Sequence, residues 1–181
     1  MSPPGLPTVL GFNPVYIQIQ TFKYKHLKQS IKTMKNFQVK MLKDINPQLC
    51  QQLKQFCYEV NGCCQMVHHE MGPFLNEYMY QDALEIILNE REIKHQKEFY
   101  FSVVFHGKTI RHKHYVDFFV SDKIFVECKA VEHLMAEHRQ QLWNYMRLSK
   151  TPIGILYNFA PIHDQSEHYY LDPQTNILYL F

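Results

Sequence analysis

Tyr115-Val116-Asp117-Phe118-Phe119-Val120, then Ser121-Asp122-Lys123, then Ile124-Phe125-Val126-Glu127-Cys128-Lys129: two apolar runs separated by three turn-forming residues decide how this chain is read. Large apolar and β-branched side chains make each run a strand, and the polar trio makes a tight hairpin between them. Asp117, Glu127 and Lys129 are out of place in such strands. An unpaired charge in a core costs several kcal/mol, so these groups must pair with one another or bind a metal ion.

If residues 121–123 form the loop, Val120 faces Ile124, and counting back sets Asp117 opposite Glu127, with Cβ atoms about 5 Å apart. Alternation puts Lys129 on the same side as Glu127 and Cys128 on the other. Two adjacent carboxylates suit one divalent cation. Mg²⁺ takes oxygen ligands and keeps several waters, which Asp117, Glu127, the Cys128 backbone carbonyl and a phosphate would satisfy. Lys129 would hold an attacking water and offset charge growing on the phosphate. A buried salt-bridge network without chemistry is the competing reading of the same spacing.

Working outward, Leu49, Leu53, Phe56, Val60, Cys63 and Val67 recur at helical steps from Pro47, and the helix should stop near Gly72-Pro73. A second helix, from about Leu75 to Glu90, carries the stripe Tyr80, Leu84, Ile87 and Leu88; Glu77 falls on that stripe, available as a further ligand. Phe99–Phe105 and the turn His106-Gly107-Lys108 complete an antiparallel meander. A helix over 132–148 and an apolar strand Ile153–Phe159 follow, and a strand reached through a helix pairs parallel. The tail adds an edge hairpin around Asp172-Pro173. The class is α/β, a mixed sheet of antiparallel meander plus parallel strand, flanked by helices.

The chain has 181 residues, 46% of them hydrophobic, enough for one core. Its net charge of +2 conceals an asymmetry: residues 1–43 hold seven lysines and no acidic residue, leaving 12 basic against 17 acidic residues in the remainder. Residues 1–43, with four of the nine prolines, read as a basic, poorly ordered extension, and 44–181 as the domain. A helix at about Tyr24–Met34 would align Lys25, Lys28, Lys32 and Lys35 as a stripe for a phosphate backbone. The odd set Cys50, Cys57, Cys63, Cys64 and Cys128 lacks a disulfide framework, and neither a secretory leader nor a membrane-length apolar run is visible. A cytoplasmic protein without membrane contact is expected; protein partners cannot be read. Zinc on Cys57, Cys63, Cys64, His68 and His69 is disfavoured, because paired C-x₂-C elements are missing and the helical pattern makes the cysteines core. His68 reads as a packed helix-end histidine and Trp143 as core.

An ordered set of short motifs adds to this: Val67-His68-His69-Glu70-Met71-Gly72-Pro73-Phe74, Glu77-Tyr78-Met79-Tyr80, Tyr115-Val116-Asp117, Val126-Glu127-Cys128-Lys129, Gln141-Leu142-Trp143-Asn144-Tyr145 and Tyr157-Asn158-Phe159. Over about residues 58–160 they resemble the GxxExxY protein family of the PD-(D/E)xK nuclease superfamily. Phe74 stands where that family has a second glycine, and Val116 where the superfamily motif has proline. The resemblance implies a restriction-endonuclease-like core and metal ligation by Glu77, Asp117 and Glu127. It also implies catalysis by these three with Lys129 and Gln141, and, as in RecB-type nucleases, a Gln141/Tyr145 pair that orients the site or touches DNA. Positions 141 and 145 do share a helix face. The expectation is a Mg²⁺- or Mn²⁺-dependent hydrolase of phosphodiesters, of DNA first, in repair, recombination or defence. The alternative is a catalytically idle nucleic-acid-binding or protein-interaction module on the same fold. On this reading Lys129→Ala abolishes cleavage with little loss of stability.

Overall fold

The computed structural model describes residues 16–19 and 39–181. The long helix α2 (Pro47–Met71) follows the short α1 (Leu42–Ile45). Its start is fixed by Pro47 in the first turn and by the Asn46 side chain, which accepts the Leu49 N–H at 3.0 Å. It stops at Gly72, whose φ of 72° and ψ of 177° suit glycine alone. Then come α3 (Glu77–Glu90), strands β3 (His95–Phe105), β4 (Lys108–Thr109), β5 (His114–Val120) and β6 (Ile124–Lys129), and helix α4 (Ala136–Ser149). β7 (Ile153–Asn158), β8 (Gln165–Leu171) and β9 (Leu178–Leu180) complete the chain.

With β1 (Tyr16–Ile19) and β2 (Lys40–Met41), the described residues form one nine-stranded sheet in the order β1-β3-β5-β6-β7-β8-β9-β2, β4 pairing with β3 off this path. β3, β5 and β6 form the expected antiparallel meander, and β7, reached through α4, lies parallel to β6. This is the mixed α/β architecture read from the sequence. Among the described residues no helix is long and apolar enough to cross a membrane.

Helices α2 and α3 cover one face, where Leu53, Val60, Tyr80 and Leu84 pack against Phe118, Val126 and Tyr157. Leu142 and Met146 of α4 cover the other, against Phe101, Phe125 and Leu156. α4 comes so close to β7 that a Cβ on Gly154 would run into Met146 Sδ. β6 and β7 are buried along their whole length, so any charge they carry needs a partner.

Several boundaries differ from the expectation. α3 begins at Glu77 rather than Leu75, and the Leu75 N–H before it is held by the Tyr80 hydroxyl at 3.1 Å. β3 starts four residues before Phe99, extending the sheet beneath α3. α4 begins at Ala136 rather than Glu132. The C-terminal hairpin forms, but β2 pairs outside it, so it is not the sheet's edge. Lys40–Met41 lie in the sheet and Leu42 in the core, next to the 43/44 boundary read from the sequence. The Tyr24–Met34 helix and the stripe Lys25, Lys28, Lys32 and Lys35 lie outside the described residues.

Candidate active site

The hairpin sets the register: Val120↔Ile124, Phe119↔Phe125, Phe118↔Val126. The next pair would be Asp117 and Glu127, as the turn implied, but the ladder ends one rung short. The Cys128 N–H turns instead to Asp117 Oδ2 at 2.7 Å, so the carboxylate replaces a backbone carbonyl between the two strands. The rungs to β3 also skip this position, passing from Lys97↔Phe118 to Phe99↔Val116. Across the skip stands Glu98, held at φ 49°. The pleat turns over here: Phe118 and Val120 lie in the core under α2 and α3, whereas Val116 lies in the core under α4. Simple alternation does not anticipate that reversal, and it is what brings Asp117 within reach of α3.

Glu127 and Lys129 share a side, as expected, and Lys129 Nζ lies 2.9 Å from Glu127 Oε1 and 3.8 Å from Glu77 Oε1. Glu127 is 2% exposed. Glu77, on the same helix face as Tyr80 and Leu84, keeps 38% of its side chain exposed because it sits in the first turn of α3. Gln81, one turn further along, has its side chain near Asp117 and favours the ionised carboxylate. Sequence reasoning passed over Gln81; its signal was the i+4 spacing from Glu77.

The electrostatics are unbalanced. Three carboxylates against one ammonium leave two negative charges in excess when all are ionised. Burial raises the Asp117 carboxyl above its ordinary range, against the pull of Lys129 and of the Cys128 N–H. Burial, and then repulsion by Asp117, raise Glu127 as well. Burial alone would lower the Lys129 ammonium, but Glu127, Asp117 and Glu77 outweigh it and hold the lysine protonated. Glu127 Oε2 is buried without a hydrogen-bond partner. An orphaned carboxylate oxygen and a local excess of two negative charges fit a divalent cation with oxygen ligands. In this arrangement Lys129 stands among the carboxylates, and among the described residues no three acidic, histidine or cysteine groups already converge on a metal position.

The motif residues around the cluster serve as pins. The buried Tyr80 hydroxyl donates to the Gly72 carbonyl at 2.7 Å while accepting from Leu75, and its ring stacks on Phe159 at 4.8 Å. That fixes the loop leading to Glu77. Phe74, in this loop, adopts φ 69° with 77% of its surface exposed. A side chain there meets left-handed strain and buries little in return, so Phe74→Gly should stabilise the fold by about 1 kcal/mol, read as a raised urea midpoint. An unchanged or lowered midpoint would mean that Phe74 holds the loop by contacts.

Asn158, fully buried, accepts the Val131 N–H at 3.0 Å and donates to the Val131 carbonyl at 2.8 Å, while the Phe159 N–H reaches the Lys129 carbonyl at 2.8 Å. β6 therefore ends at Lys129 rather than Val131. Asn158→Ala would strand both Val131 groups and should cost about 3 kcal/mol in chemical denaturation. A loss below about 1 kcal/mol would show the clamp to be replaceable by water.

Gln141 and Tyr145 are brought to each other, amide to hydroxyl at 3.3 Å. The pair is on α4, where Tyr145 packs against Phe101 and His114; neither hydrogen-bonds to the carboxylates. His68 is a packed histidine, its Nε2 2.7 Å from the Pro161 carbonyl, and Trp143 packs in the α4 core against Tyr169. All five cysteines are buried free thiols.

Comparison with known proteins bears on this cluster. The crystal structure of SSO0001 matches at 23% identity over 55% of this chain, with a TM-score of 0.43; the match spans about half, 53%, of that protein. No curated protein matches. The sequence model of the PD-(D/E)XK nuclease superfamily matches residues 54–169, more than half of the chain and all of Glu77, Asp117, Glu127, Lys129 and Gln141. The chain belongs to the PD-(D/E)XK nuclease superfamily, whose members are in general nucleases that use divalent metals.

Proposed function

We propose that this chain is a Mg²⁺-dependent nuclease, also served by Mn²⁺, that hydrolyses phosphodiester bonds of DNA and groups with the GxxExxY proteins. One observation carries the reading: the buried Glu127, with an unpartnered oxygen, lies beside Asp117 in a cluster short of positive charge. Asp117 and Glu127 would hold the ion, with the Cys128 carbonyl and the more exposed Glu77 as further ligands. Bound there, the ion would polarise a phosphoryl oxygen and acidify a water.

The chain's own residues supply the rest. Lys129, kept protonated by its neighbours and fixed through the Asn158 and Phe159 contacts, would orient the attacking water and donate to the oxygen on which charge grows. Gln81 would hold Asp117 in place. Gln141 with Tyr145, and the lysines at 25, 28, 32 and 35, would guide the strand. The role would be in repair, recombination or defence, and a reducing cytoplasm accords with the unpaired thiols.

A second reading, an idle nucleic-acid-binding or protein-interaction module, takes its support from Lys129 pairing directly with Glu127. Labelled single- and double-stranded DNA and RNA, incubated with protein in Mg²⁺, Mn²⁺ or EDTA, separate the two. Metal-dependent cleavage that Asp117→Asn abolishes supports the nuclease. No cleavage in any combination would remove it in favour of the module.

A further inference from the structure

β3, β4 and β5 carry a second feature that the carboxylate cluster does not use. Residues 99–116, Phe-Tyr-Phe-Ser-Val-Val-Phe-His-Gly-Lys-Thr-Ile-Arg-His-Lys-His-Tyr-Val, contain Lys108, Arg111, Lys113 and three histidines and no acidic residue. The segment 105–113 is exposed throughout. Just inside it, Tyr100 and Tyr115 face each other across the β3–β5 ladder with ring centroids 5.5 Å apart, 42% and 47% exposed. Their strand neighbours Phe101 and Val116 point into the core under α4, so the tyrosines lie on the opposite face of the sheet, the face that carries α3 and Glu77. Tyr115 is two residues from Asp117 in one direction and two from Lys113 in the other, about 7 Å each way along an extended strand.

Two uncovered aromatic rings, flanked by cations and ending at a carboxylate centre, match a polyanion that carries flat bases. We propose that this surface is a track for single-stranded nucleic acid: bases stack on Tyr100 and Tyr115, phosphates lie on Lys108, Arg111 and Lys113, and the strand runs toward Asp117. The direction of the strand rests on the nuclease reading; binding does not. Stacking on aromatic side chains tolerates any base, whereas a paired duplex keeps its base faces hidden, so the tyrosines favour single strands. The cations serve either form and make binding salt-dependent.

The test is fluorescence anisotropy in EDTA, with labelled oligothymidylate, oligouridylate and a blunt DNA duplex as probes, so that no cleavage intervenes. The doubly substituted Tyr100→Ala/Tyr115→Ala protein should bind single strands about ten-fold or more weakly than wild type with duplex affinity little changed. Tyr100→Phe/Tyr115→Phe, which keeps the rings, should bind as wild type. Lys108→Gln/Arg111→Gln/Lys113→Gln should weaken all probes and lower the salt slope for single strands by about 2. Wild-type affinity in the alanine or glutamine variants overturns the track, as does failure of the wild-type protein to bind any single strand. Equal loss on single strands and duplex overturns the stacking role. Tight single-strand binding without metal-dependent cleavage would sustain the track while removing the nuclease.

Discussion

Lys129→Ala is expected to lose metal-dependent cleavage by a factor of 10³ or more, of the order found when a preorganised charge is taken from a transition state. It should also destabilise the metal-free protein by about 3 kcal/mol, the scale for breaking a buried ion pair from one side. Among the described residues the ammonium is the one cation paired with Glu127, which is 2% exposed, and it also neighbours Glu77. Without it three carboxylates face one another. This ion pair, buried on both sides, argues for a larger stability loss than the strand pattern alone suggests. Urea denaturation in EDTA gives the deficit, and Mg²⁺ or Mn²⁺ should recover much of it in the variant. A variant as stable as wild type in EDTA would mean that the carboxylates disperse into solvent once the lysine is gone.

Glu127→Gln should move stability and activity in opposite directions. Glutamine removes one negative charge from a cluster with two in excess and still offers Lys129 an oxygen, so the metal-free protein should gain about 1–2 kcal/mol near pH 8. Cleavage should vanish. The pH dependence follows from the raised carboxyls. A group that binds its proton more tightly in the folded state contributes stability below its ordinary value, here 4.5 for Glu127, and that contribution disappears as pH rises through the raised one. Wild type in EDTA should therefore lose stability from the acid side toward neutrality, and Glu127→Gln should show a flatter profile over that window. A variant less stable than wild type at pH 8 would show that the Glu127–Lys129 bond outweighs the repulsion from Asp117.

Much of the centre is legible in the sequence, because buried charge in apolar strands is a strong signal and a three-residue turn fixes a register. The register Val120↔Ile124 follows from that turn, and the ladder continues to Phe118↔Val126, one rung short of Asp117 and Glu127. What stayed hidden depends on backbone irregularity and distant contacts. The reversal of the pleat at Asp117, the left-handed Glu98 opposite it and the nearness of Gln81 all arise where two strands part beneath a helix. No periodicity rule encodes that parting. Likewise the motif residues Tyr80, Asn158 and Phe159 could be matched to a pattern in sequence, but their work as pins for Glu77 and Lys129 is visible only in their partners. The acid-free segment 99–116 is plain in the sequence, but only the pairing of Tyr100 with Tyr115 places its rings on one face.

On the proposed function Asp117 and Glu127 are held together to take a divalent cation, and Mn²⁺ titration by calorimetry near pH 7, in buffers of different ionisation enthalpy, reads that out. Because both carboxyls are raised, ion binding should expel protons, so the observed enthalpy should vary with the buffer in wild type. Binding should be lost, or greatly weakened, in Asp117→Asn and Glu127→Gln. Mn²⁺ that binds both variants as it binds wild type, or does not bind wild type, would contradict the account.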